Sequence, residues 1–175
     1  MTIVVSPLSR VFDQIKAHKP ARIVSLLDPH TPFPRTNYYE RHLQLTMHDI
    51  VGDADGWVAP TTAHLEDLIG FVEPWDRKAP ILIHCFAGIS RSTAAAFITA
   101  CVHNPRTDER EIAQALYAGS ANARPNKKMI TLADAMLGRN GRLISAIEEA
   151  GRVQPWNELH ENEPFFFRSI YKDGA

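Results

Sequence analysis

The sequence predicts an α/β fold: a central, largely parallel sheet of about four to five strands flanked by helices. Two observations predict it. Short apolar runs (Ile3-Val4-Val5, Arg22–Leu27, His42–Met47 and Ile81-Leu82-Ile83) alternate with longer segments of helical period. A chain of 175 residues with 45% hydrophobic content also supports one well-buried core and leaves little room for a second domain, so 1–175 reads as a single domain.

Taken in order, Ile3-Val4-Val5 reads as a short strand, after which Ser6 as cap and Pro7 in the first turn open a helix. That helix carries Leu8, Val11, Phe12 and Ile15 and stops near Lys19-Pro20. Arg22–Leu27 is continuous enough in apolar character to be a buried strand. The loop Asp28–Pro34 holds three prolines and makes a stiff excursion, either a wall of a substrate cleft or a plain connection. The alternation of His42–Met47 gives a third strand. A helix over Thr61–Trp75 buries Leu65, Leu68, Ile69 and Val72, and Ile81-Leu82-Ile83 forms the central strand. An alanine-rich helix spans Ser92–Val102, and Thr107–Glu111 starts another with a cap and early acids. Asn126 caps a helix over Met129–Leu137, and Arg142–Ala150 is amphipathic. Three consecutive phenylalanines, Phe165-Phe166-Phe167, cannot all face water comfortably. The tail 155–175 is therefore expected to pack back on the domain, with a partner-binding segment as the alternative.

A net charge of −1 gives no electrostatic case for nucleic acid or a membrane surface, and no apolar run approaches the roughly eighteen residues of a membrane span. Only two cysteines, Cys85 and Cys101, and a start unlike a signal peptide suggest a reducing, cytoplasmic setting. Cys101 reads as a buried helical residue, too far along its helix to pair with Cys85. None of the eight histidines shows zinc-site spacing, so neither metal nor cofactor is expected; His42, His48 and His64 read as surface or satisfied core residues.

The most informative segment is His84-Cys85-Phe86-Ala87-Gly88-Ile89-Ser90-Arg91-Ser92. A strand that ends in cysteine and turns through small residues into a helix brings successive backbone N–H groups and a helix N-terminus onto one point, an anion site. Gly88 suits a bend where a Cβ would obstruct, and Arg91 offers a planar fork to two phosphate oxygens. The same positive surroundings favour a Cys85 thiolate, to which Ser92 can donate a hydrogen bond. Phe86, Ala87, Gly88, Ile89 and Ser90, with Arg91, are the expected phosphate-binding residues, supported by His84 from the opposite strand face.

His84-Cys85, five residues, then Arg91-Ser92 resembles the signature of cysteine-dependent protein tyrosine phosphatases, most closely the compact dual-specificity branch. Arg124-Pro125-Asn126 before an apolar helix resembles the equivalent region of that branch more weakly. The resemblance implies a phosphotyrosine-phosphatase-like fold and a two-step reaction through a phosphocysteine. Cys85 would attack phosphorus, with Arg91 and the loop amides holding the oxygens. It also implies a general-acid aspartate on a loop upstream of the cysteine. Asp49, Asp53 and Asp55 are the candidates. Asp49 leads because it follows a strand and so falls at the sheet edge where Cys85 lies; Asp53 and Asp55 sit among turn formers.

The expected activity is hydrolysis of a phosphomonoester on protein, because the uncharged loop offers nothing extra to a polyphosphorylated ligand. Alternatives are a phosphatase of a small phosphorylated metabolite, a catalytically weak phosphopeptide-binding module, and a rhodanese-like sulfur carrier.

Overall fold

A computed structural model describes residues 1–152 and 161–168. Five strands, β1 (Ile3–Pro7), β2 (Arg22–Leu27), β3 (His42–Thr46), β4 (Ile81–Cys85) and β5 (Phe165–Phe167), form one sheet in the order β3-β2-β4-β1-β5. The first four are parallel, and β5 runs antiparallel to β1 at the edge. The predicted α/β sheet flanked by helices is therefore present.

The two faces are covered unequally. Helix α1 (Val11–His18) covers one face, where Val4, Ile23 and Leu82 pack with Val11. On the other face lie α2 (Thr62–Val72), α3 (Arg91–His103), α4 (Glu109–Gly119), α5 (Lys127–Met136) and α6 (Arg142–Arg152), over Ile3, Val5, Val24, Leu26, Ile81 and Ile83. Alternate strand residues thus face two separate apolar clusters, as strands buried on both sides must. Helix α3 runs through the centre of the larger one: from Arg91 to Cys101 every residue is buried, and its run of alanines lets it lie close on the sheet.

Two local expectations are corrected. Ser6 and Pro7 do not open a helix: they extend β1, opposite His84 and Cys85, and α1 begins at Val11 after a short 3-10 turn over Leu8–Arg10. Strand β4 runs out to Cys85, and pairing with it outweighs the local capping signal; Pro7 loses nothing for lack of an N–H, because β5 pairs only with Ile3–Val5. Helix α2 stops at Val72 rather than Trp75, since Pro74 has no N–H to continue the ladder. The Phe165–Phe167 run packs on the domain as expected of the tail, and does so as strand β5, with Phe165 and Phe167 buried and Phe166 exposed. Residues 155–160 and 169–175 of the predicted tail lie outside the described residues.

Candidate active site

The parallel strands bring their carboxyl ends to one edge, the usual ligand-binding edge of such sheets. Cys85 is the last residue of β4, flanked by Leu26 of β2 and Pro7 of β1. Residues 86–90 turn there, and Arg91 starts α3, whose N-terminus carries partial positive charge.

The orientation of this turn follows from where its carbonyls go. Cys85 O accepts from His84 Nδ1 (3.4 Å), Phe86 O from Leu8 N (3.0 Å) and Ala87 O from Asn162 N (2.8 Å). Gly88 O accepts from Asn162 Nδ2 (3.3 Å), Ile89 O from Arg124 N (2.9 Å), and Ser90 O from Ala94 N (3.0 Å). In a trans peptide the N–H points opposite its carbonyl. Six carbonyls held outward by the scaffold therefore turn the N–H groups of residues 86–91 inward. Gly88 N donates to Cys85 Sγ (3.3 Å). Among the described residues, the N–H groups of Phe86, Ala87, Ile89, Ser90 and Arg91 meet no acceptor. Gly88 is required: its φ is +72°, and a Cβ there would sit 2.8 Å from Pro7 N.

Cys85 is a free, buried thiol whose Sγ lies 3.2 Å from Ser92 Oγ. Arg91 is only 4% exposed, and its Nη1 is anchored by Asp28 Oδ1 (2.9 Å) and Met47 O (2.6 Å). Its Nε is buried with no hydrogen-bond partner and lies 4.0 Å from Asp49 Oδ2. A buried guanidinium N–H without an acceptor is costly, and an oxyanion in the loop would satisfy it.

Of the three candidate acids, Asp49 is gathered to the loop. Its Oδ1 accepts from Ser90 Oγ (2.6 Å) and Asn126 Nδ2 (2.8 Å). Asp53 is exposed and paired to Lys128 Nζ at 2.6 Å, whose charge and hydrogen bond hold its carboxyl below the usual range. Asp55 is exposed in the turn that Gly56 closes at φ +77°. The 48–58 loop is pinned at its neck: His48 N donates to Val58 O (2.7 Å) and Val58 N to His48 Nδ1 (2.8 Å). A cavity of about 770 Å³ opens beside Asp49 and Ser90 toward α5 and α6, walled by Tyr117, Arg124, Ile130 and Ile147.

His84 lies on the α1 face, opposite Cys85, and heads a chain whose proton order is fixed. Only an N–H can meet Cys85 O, so Nδ1 carries the proton and Nε2 accepts from the Ser25 hydroxyl (2.5 Å). Ser25 Oγ then accepts from His42 Nε2 (2.7 Å), whose Nδ1 accepts from Thr36 Oγ1 (3.2 Å). Burial pushes His84 down to about 4 and lowers His42, so both rings are neutral near pH 7.

The structure thus brings Cys85, Ser92, Arg91, Asp49 and the loop together, and leaves Asp53 and Asp55 outside. Sequence reasoning missed Asp28, the reach of Asn126 and the whole role of Asn162. Asp28 was within reach of inference: it directly follows β2, and a residue just past a strand next to the central one falls at the Cys85 edge. His48 and His64 are satisfied by backbone contacts, and the capping box of Thr61 with His64 starts α2. Among the described residues, no three His, Cys, Asp or Glu side chains stand close enough to hold a metal ion. No helix among them is long and apolar enough to cross a membrane.

A family model described as protein-tyrosine phosphatase matches residues 37–127, from before β3 to the first residue of α5. No curated protein matches the sequence. Among solved structures, that of DUSP15 superposes with a TM-score of 0.58 at 19% identity, covering 90% of this chain and 94% of that one. PTPMT1 in complex with PI(5)P gives 0.58 at 13% identity, over 78% of this chain and 90% of that one. The Yvh1 phosphatase domain from Chaetomium thermophilum gives 0.54 at 18%, over 81% and 93%. At these identities the likeness is one of fold.

Proposed function

Because the chain belongs to the protein-tyrosine phosphatase family, we propose that it hydrolyses phosphomonoesters through a phosphocysteine on Cys85, as a protein tyrosine or dual-specificity phosphatase. One observation carries the reading: the carbonyls of residues 85–90 are all bound outward, which turns a ring of N–H donors toward the Cys85 sulfur, one of them donating to it and the other five meeting no acceptor among the described residues. A preformed donor ring costs no reorganisation when charge develops on the phosphoryl oxygens. The unpartnered Nε of Arg91 adds a charged donor.

In the first step the Cys85 thiolate attacks phosphorus. The P–O bond to the leaving group breaks, and Asp49 gives its proton to the departing oxygen. In the second, water attacks the phosphocysteine, Asp49 takes the water proton, and the S–P bond breaks to release phosphate. Ser92 Oγ supports the departing thiolate by a hydrogen bond. Phe86, 54% exposed on the loop itself, gives an aromatic leaving group a surface to stack on, which favours phosphotyrosine over phosphoserine. We read 1–175 as one phosphatase domain, since β5 from the far end of the chain completes the sheet that carries Cys85. Two free thiols fit a cytoplasmic setting.

The test is turnover of aryl phosphates, phosphopeptides and phosphorylated lipids or metabolites in parallel, with a quench to capture the intermediate. Turnover that disappears in Cys85→Ser, with a phosphate adduct on Cys85, supports the reading. Binding of phosphopeptides without turnover would make the protein a binding module, and a persulfide on Cys85 would make it a sulfur carrier. Preference for an inositol lipid would place its substrate nearer the ligand held in the PTPMT1 structure.

A further inference from the structure

Two of the six outward carbonyls are held by one residue, Asn162, which follows Cys85 by 77 positions and belongs to none of the elements that bear the signature. Its backbone N–H donates to Ala87 O (2.8 Å) and its side-chain Nδ2 to Gly88 O (3.3 Å). Asn162 is 5% exposed, and its side chain is steadied by Ser120: Nδ2 donates to Ser120 Oγ at 3.0 Å and Oδ1 accepts from it at 3.3 Å. The segment around it is tied down independently. Glu161 Oε1 accepts from Ser9 Oγ (2.6 Å) and Glu163 Oε2 from Arg10 Nη1 (3.4 Å). Three residues on, Phe165 begins β5 and lies against Gly119, where any Cβ would meet its ring at 2.9 Å.

Peptide planarity links this to the oxyanion hollow. Ala87 O shares its peptide with Gly88 N, and Gly88 O shares its peptide with Ile89 N. Holding those carbonyls outward therefore sets the direction of two donors, one of which already meets Cys85 Sγ. Gly88, at φ +72°, sits at the most permissive point of the turn, so its two flanking peptides are the ones most able to rotate without an outside anchor.

Resting on the phosphatase reading above, we propose that Asn162 is a positioning residue of the oxyanion loop. It acts through the orientation of the Gly88 and Ile89 N–H groups and touches no reacting atom.

The experiment compares wild type, Asn162→Ala and Asn162→Leu with two controls, Glu161→Ala and Glu163→Ala, which break the ties to Ser9 and Arg10. The controls loosen the same segment without removing a contact to the loop. Tungstate, a tetrahedral oxyanion, is titrated calorimetrically into each, and kcat and KM are measured on an aryl phosphate. Loss of the amide donor is expected to weaken tungstate binding and lower kcat/KM together, by about tenfold. Both controls should stay within roughly twofold of wild type, even where their unfolding temperatures fall as far. If Asn162→Ala fails to fold, Asn162→Leu, of similar size and without charge, gives the same comparison. Tungstate affinity in the folded Asn162 variant equal to that of wild type overturns the proposal, as does a loss in all variants that tracks unfolding temperature. A wild type that binds tungstate but turns over nothing defeats the phosphatase reading, and Asn162 is then judged on tungstate alone. A wild type that binds no tungstate overturns both.

Discussion

Asn126 holds Asp49 with one end of its side chain and caps α5 with the other. Its Nδ2 donates to Asp49 Oδ1 (2.8 Å) and to Ile50 O (3.2 Å), while its Oδ1 accepts from Met129 N (3.1 Å). Its own backbone N–H reaches Ser90 O at 3.4 Å. One residue therefore couples the candidate acid, the phosphate loop and a helix start. Asn126→Ala is expected to cost about 1 kcal/mol as a lost cap. It should also depress turnover of a poor leaving group more than of an activated aryl phosphate. Asp49→Ala should show that leaving-group dependence more strongly, on the order of 10² or more for the poor leaving group. Finding the dependence in Asp53→Ala or Asp55→Ala instead would move the assignment.

Arg91 is held in place by anchors that use only Nη1. Lysine keeps the charge but has no second N–H in a fixed plane, so Arg91→Lys is expected to lower kcat/KM by roughly 10²- to 10³-fold. Asp28→Ala leaves Met47 O as the remaining anchor and should cost less, around tenfold. Steady-state kinetics on one substrate orders the two variants; equal losses would mean that Asp28 matters for more than orientation.

The two thiols should differ sharply in reactivity. Both are buried, but burial inside α3 pushes the Cys101 thiol well above its usual value, whereas Cys85 has the inward N–H donors of its loop beside it. Iodoacetamide at neutral pH should label one thiol per native chain, and none in Cys85→Ser. Labelling of Cys101 in the folded protein would contradict this.

Acid should weaken the fold through its buried imidazoles. His84 takes up a proton at about 4 when folded, against 6.5 when free. The unfolded chain thus binds that proton first, so stability falls as pH drops from 6.5 and the loss levels off below about 4, for a total on the order of 3 kcal/mol. His42, His64 and His103 are lowered by burial too and act in the same direction. Urea midpoints across this window should slope with pH in wild type and less steeply in His84→Gln; equal slopes would show that His84 is not the source.

The strands, the central helix and the Cys85–Ser92 turn were legible because each is a local pattern: apolar runs, an alanine-rich period, and a motif whose chemistry lies within nine residues. Asp49 was legible because the end of a strand fixes a sheet edge. What escaped depends on long-range partners. Ser6-Pro7 carries a local helix-start signal, and only β4 beside it keeps it extended. Asn162 has no neighbouring pattern, and its function comes entirely from two carbonyls contributed by a loop far upstream. Ser25 and His42 read as strand residues because nothing nearby shows that His84 Nε2 needs a donor.

Strand β5 also has a consequence for solubility. It covers the free side of Ile3-Val4-Val5, three apolar residues, two of them β-branched valines beside a β-branched isoleucine. Unpaired, that stretch would be a bare template for intermolecular strand addition. Shortening the chain ahead of Phe165 would therefore favour self-association as well as local loosening.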